Sequence, residues 1–172
     1  MMQEAMKVVA DLMALAARTA PKAAGKDFVT TEVITGEKLG EIADAMIRYG
    51  QETGKKNFHR DGENIRYSEA MLLIGLKDPG VAGLNCGACG FDQCSQLEAR
   101  KGTEFEGPLC AWRVMDLGIA IGSAVKTASI HNADNRIMYR VGVVIRRMEL
   151  VTDQLVVGIP ISATGKNIYF DR

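Results

Sequence analysis

The chain predicts one domain built as a β-sheet flanked by helices, of the α/β or α+β class. Amphipathic helical patterns alternate with short β-branched runs along the 172 residues. A chain of that length can bury a substantial core as a single unit. Hydrophobic residues make up 47% of it, and no repeat or low-complexity linker divides it.

Residues 1–18 read as an amphipathic helix. Met2, Met6, Val9, Met13 and Ala16 share one stripe, which Leu12 and Leu15 widen. Pro21 and Gly25 end it. Its methionines suit a core or an oligomer interface, since flexible thioethers pack against irregular surfaces. Residues 28–35 hold Val29, Thr30, Thr31, Val33 and Ile34 and predict a strand, closed by Gly36. Residues 37–50 form the cleanest helix, with Leu39, Ile42, Ala43, Met46 and Ile47 on one face.

The polar stretch 51–66, with Gly54 and Gly62, reads as irregular. Met71–Leu76 predicts a buried strand, which leads through Asp78-Pro79-Gly80 into a cysteine-rich loop. Residues 93–101 predict a short helix carrying Cys94. Residues 111–130 predict a long helix, apolar almost all round and slim at Gly118, Ala120, Gly122, Ala124 and Ala128. It belongs at the centre of the core or at a subunit interface. Residues 137–145 and 155–160 are rich in Val and Ile and predict two further strands. The mixed polar and aromatic segment 165–172 closes the chain.

The four cysteines are the densest chemical signal. Cys86, Cys89, Cys94 and Cys110 follow a C-x2-C-x4-C-x15-C spacing. Gly87 and Gly90 supply the turns that a loop needs to wrap several thiolates around one object. Structural zinc usually draws two separate C-x2-C knuckles, whereas here three ligands cluster and one stands alone. A 4Fe–4S cluster fits this pattern best; zinc and inert or regulatory thiols are the competing readings. Disulfides require a secretory context, and Met1-Met2-Gln3-Glu4 does not open a signal peptide.

Charge adds exclusions. The 21 basic and 21 acidic residues cancel, which argues against nucleic acid and anionic membrane as partners. No apolar run reaches the roughly 18 residues of a bilayer span. The expected compartment is the cytoplasm. Other candidates are weaker. Arg18 and Lys22 either complement the dipole of the first helix or bind the phosphate of an anionic cofactor. Lys166, with Arg172, is a similar candidate. The polar run His131–Arg136 is either a turn or the wall of a pocket, with His131 as proton donor and Arg136 as anion clamp. His59-Arg60-Asp61 reads as a solvated loop.

The segment Cys86-Gly87-Ala88-Cys89-Gly90, with Cys94 and Cys110, resembles the iron–sulfur loops of ferredoxin-type modules. Residues 17–23, 116–124 and 158–166 extend the likeness, and nearly the whole chain is similar to a family of prokaryotic proteins described as containing a ferredoxin domain. A fainter likeness runs to flavin-dependent nitroreductases through Ala20-Pro21, the slim helix 111–130 and Gly158-Ile159-Pro160. The resemblance implies an α+β fold with a helix-flanked mixed sheet and an iron–sulfur loop at 84–111, inserted after a core strand of a single domain, 1–172. It also implies an intertwined homodimer and bound FMN, held in part by Arg18, Lys22 and Lys166.

Two functions are therefore expected to compete. One is a 4Fe–4S redox protein that passes electrons to or from a partner protein, a small acceptor or a flavin, and so a candidate flavin-dependent oxidoreductase. The other is a non-catalytic scaffold or sensor that a metal stabilises.

Overall fold

A computed structural model describes residues 1–170. In chain order the elements are α1 (Met2–Thr19), β1 (Val29–Thr35), α2 (Glu37–Thr53), α3 (Phe58–Arg66), β2 (Ala70–Leu76), β3 (Arg100–Lys101), β4 (Glu106–Gly107), α4 (Ala111–Ile130), β5 (Asp134–Asn135), α5 (Tyr139–Arg147) and β6 (Leu155–Ser162). Short 3-10 turns lie at Ala23–Gly25 and Cys94–Gln96.

The main sheet runs β1-β2-β6-β5, and β3 and β4 form a separate small hairpin. Strand β2 is central and buried along its whole length. Its side chains alternate between two cores, as the pleat requires. Ala70, Leu72, Ile74 and Leu76 point to α1 and α4 and meet Met13, Ala17, Ala120 and Ala124. Met71 and Leu73 point to the other core, among Met46, Phe58, Ile65, Val144 and Ile145 of α2, α3 and α5. The fold is thus α+β in three layers, with helices on both faces.

Four expectations are corrected. The sheet is antiparallel at every pairing among the described residues, not mixed. The polar stretch 51–66, expected as irregular, holds the end of α2 and all of α3, and these two helices together span the connection from β1 to its antiparallel neighbour β2. Helix α3 was hard to see because its buried face, Phe58, Asp61, Gly62 and Ile65, carries only two large apolar residues.

The second misplaced element is residues 137–145, expected as a strand and found as helix α5. Packing overrides β propensity there. Val141, Val144 and Ile145 share a helical face against Val156. A Cβ on Gly142 would lie 1.7 Å from the Val156 carbonyl oxygen, so the helix reaches β6 only because that residue is glycine. Lastly, the short helix expected at 93–101 shrinks to the 3-10 turn at Cys94–Gln96, and Arg100–Lys101 pair with Glu106–Gly107 instead.

Helix α4 spans the expected residues, but only one of its faces is in the core. Leu117, Ala120, Ala124 and Ala128 are buried against α1, while Val114, Met115 and Ile119 are 40%, 52% and 42% exposed.

Candidate metal centre

Strand β2 ends at Leu76 and feeds the cysteine segment, whose two ends are fastened to one residue. At the first end the Asp78 amide donates to Gln154 Oε1 at 2.8 Å, and Gln154 Nε2 donates to Asp78 Oδ1 at 3.1 Å. At the other end the Glu106 amide donates to the Gln154 carbonyl at 3.0 Å. The segment between is therefore a projection from the rigid sheet, where sites commonly sit.

Within it the backbone folds tightly. Gly87 and Gly90 have φ of +73° and +90°, and the Gly90 amide donates to the Gly87 carbonyl at 2.9 Å. Asn85, at φ 48°, occupies the left-handed region that asparagine tolerates. Its side chain holds the turn, with Oδ1 accepting the Cys94 amide at 2.8 Å, and its own amide donates to Cys94 Sγ at 3.4 Å. Gln93 and Gln96 cap the 3-10 turn reciprocally. Asn85 was not singled out from sequence; an Asn beside a C-x2-C loop is the signal that was available.

All four cysteines line one pocket, whose other walls include Val81, Leu84, Phe91, Leu97 and Trp112. Cys110 is buried, Cys89 and Cys94 are half-buried and Cys86 is exposed. Cys110 is the N-cap of α4, so the positive end of that helix faces the pocket and favours negative charge there. The Trp112 indole Nε1 donates to Cys86 Sγ at 3.3 Å. The Cys86 thiol is held below the ordinary thiol range, first by the Ala88 backbone and then by that indole. Among the described residues no three His, Cys, Asp or Glu side chains are grouped as a single-ion site. Four thiols on one pocket wall, with amide and indole donors aimed at sulfur, fit a cluster of several atoms.

Beside the loop lies a buried ion pair in the first two turns of α4. Arg113 is 1% exposed and Asp116 4%. Arg113 Nη1 donates to Asp116 Oδ2 at 3.0 Å and to the Ala23 carbonyl at 2.9 Å, and Nε donates to the Gly80 carbonyl at 3.0 Å. Asp116 Oδ1 accepts the Ala23 amide at 2.8 Å. The guanidinium lies over the Phe28 ring at 4.9 Å. Arg113 so joins three pieces: the start of α4, the loop after α1 and the approach to the cysteines.

The expected phosphate-binding residues fall elsewhere. Lys22 Nζ donates to the Ala17 and Arg18 carbonyls at 2.9 and 2.6 Å and so closes the C-terminus of α1. Arg18 pairs with Asp27 at 3.2 Å and donates to the Val29 carbonyl. Lys166 borders a groove with Arg60 and Tyr67, on the α3 side of the sheet. Within a single copy, Arg18 and Lys22 thus stand across the sheet from Lys166. Arg172 lies outside the described residues.

The polar run 131–136 is neither a simple turn nor a free pocket wall. Asp134 and Asn135 form β5, an edge strand on β6. Arg136 Nη1 donates to the Tyr169 carbonyl at 2.8 Å, and Asn167 Nδ2 donates to Asp134 Oδ1 at 2.8 Å. His131 follows α4 and is exposed. Asp61, expected in a solvated loop, is 1% exposed and accepts from Arg60 and from Arg140 at 2.9 Å.

Comparison with known proteins adds three findings. The family described as "Uncharacterized protein containing a ferredoxin domain (DUF2148)" matches residues 106–172, a stretch that includes Cys110 and follows the other three cysteines. An uncharacterized protein of Archaeoglobus fulgidus is 46% identical over 171 residues, covering 98% of this chain and 92% of that protein. The fold is similar to that of solved nitroreductases. The FMN-dependent nitroreductase NfnB of Mycobacterium smegmatis aligns with a TM-score of 0.60 at 11% identity, covering 92% of this chain and 78% of that one. Nitroreductase CinD of Lactococcus lactis aligns with a TM-score of 0.60 at 12% identity, covering 96% and 84%. Nitroreductase A of Vibrio parahaemolyticus aligns at 0.58 and 12% identity, and this chain spans 60% of its length.

Proposed function

The chain belongs to the family of proteins containing a ferredoxin domain, and from that premise we propose that it is an electron-transfer protein holding one 4Fe–4S cluster on Cys86, Cys89, Cys94 and Cys110. The observation that carries this reading is the single pocket shared by all four thiols. When bound, such a cluster takes up and gives back electrons at a potential set by its charge, its hydrogen bonds and its exposure.

The residues around it supply each of those controls. The Asn85 amide and the Trp112 indole donate to sulfur. Val81, Leu84, Phe91 and Leu97 keep water from part of the wall. The N-terminus of α4 offsets negative charge at Cys110. Cys86, the exposed ligand, marks the side from which a partner protein or small acceptor exchanges electrons. Four thiols on one pocket, with an amide and an indole donating to sulfur, are the donor set that a cluster takes. Anaerobic reconstitution with iron and sulfide tests the proposal, and serine at any one of the four positions should lower cluster occupancy.

A flavin in the same molecule is the second reading, favoured by the fold similarity to FMN-dependent enzymes. A yellow chromophore released by denaturation supports it. No FMN binding at tens of micromolar removes it.

A further inference from the structure

We infer that Trp112 is a positioning residue that fixes the Cys86 thiolate in the cluster pocket and raises the cluster's reduction potential. The inference rests on the cluster reading and goes beyond the four ligands. Trp112 is the only tryptophan in the chain. It sits two residues after Cys110, inside the first turn of α4, and lines the same pocket as the four cysteines. Its ring packs on that wall and its Nε1–H meets Cys86 Sγ at 3.3 Å.

The chemistry of that contact is one-sided. An indole nitrogen can only donate. A neutral thiol is a weak acceptor, whereas a thiolate is a strong one, because an ionised acceptor roughly doubles the strength of a hydrogen bond. The contact therefore gains most when Cys86 is an anionic ligand. It also joins the two ends of the cysteine segment, since Trp112 is rigidly attached to Cys110 through α4 and reaches back to Cys86 across 26 residues. Cys86 most needs such a tether, being the exposed member of the four. A donor aimed at a ligand sulfur stabilises the more negative, reduced cluster more than the oxidised one. Its loss should make the cluster harder to reduce.

The test compares wild type, Trp112→Phe and Trp112→His after anaerobic reconstitution. Phenylalanine keeps a ring in the wall and removes the N–H; histidine returns a ring N–H. The expected result is full cluster loading in all three, a lower midpoint potential in Trp112→Phe and partial recovery in Trp112→His. A loaded Trp112→Phe with the wild-type potential overturns the inference and leaves the cluster reading standing. A wild type that takes up no iron and sulfide overturns the cluster reading itself. Should Trp112→Phe fail to load, the metal-free protein decides. Its single indole N–H resonance should shift on Cys86→Ala, and an unmoved resonance counts against the contact.

Discussion

Arg113 and Asp116 show how much a pair of residues can decide here. Both are buried, both bond to the loop after α1, and Arg113 also holds the Gly80 carbonyl on the approach to the cysteines. A buried pair adds little net stability over an apolar substitute, yet breaking it by removing one partner costs about 3–5 kcal/mol. Arg113→Met should therefore destabilise the fold by that amount in urea unfolding, and Arg113→Met with Asp116→Asn should recover part of the loss. Equal losses in the single and double variants would show that Asp116 is not the stranded charge. That the four cysteines come to one pocket was legible in their spacing, since Gly87 and Gly90 let one loop turn tightly enough to gather several thiols. Arg113, Asn85 and Trp112 were not, because their roles rest on contacts 26 to 90 residues away or on a turn that only the folded loop displays.

Helices α3 and α5 carry the same lesson one level up. Strand β2 and helices α2 and α4 were readable because a buried strand and an amphipathic helix have distinct periods. In α5 the β-branched residues Val141, Val143, Val144 and Ile145 favour a strand locally, and only contact with β6 selects the helix. That contact depends on Gly142 and on Gly158, where an added Cβ would meet Val141 Cγ1 at 2.4 Å. Gly142→Ala should thus unfold α5 from the sheet or force the helix outward, at a cost near the top of the usual overpacking range of about 1–3 kcal/mol. Chemical denaturation measures it; a change under about 0.5 kcal/mol would mean that α5 shifts freely.

At the scale of the whole molecule, α4 joins the candidate centre to an uncovered surface. Cys110 and Trp112 lie at its first turn, and Val114, Met115 and Ile119 continue outward as exposed apolar side chains. Gly118 and Gly122, on the same face, have open space where a Cβ would be. We propose that a second copy covers this face, because apolar groups exposed together seldom remain so in water. Light scattering at micromolar concentration should report a dimer, and Ile119→Glu should shift it toward monomer; a wild-type monomer would contradict the proposal. No helix among the described residues is long and apolar enough to cross a membrane. The central claim is that Cys86, Cys89, Cys94 and Cys110 together hold one 4Fe–4S cluster. It is tested most directly by iron, sulfide and zinc analysis of the anaerobically reconstituted protein, with its visible and electron-spin spectra. The account predicts a brown protein with about four irons and four sulfides per chain and a reducible cluster signal. Stoichiometric zinc without iron, or no metal at all, would contradict it.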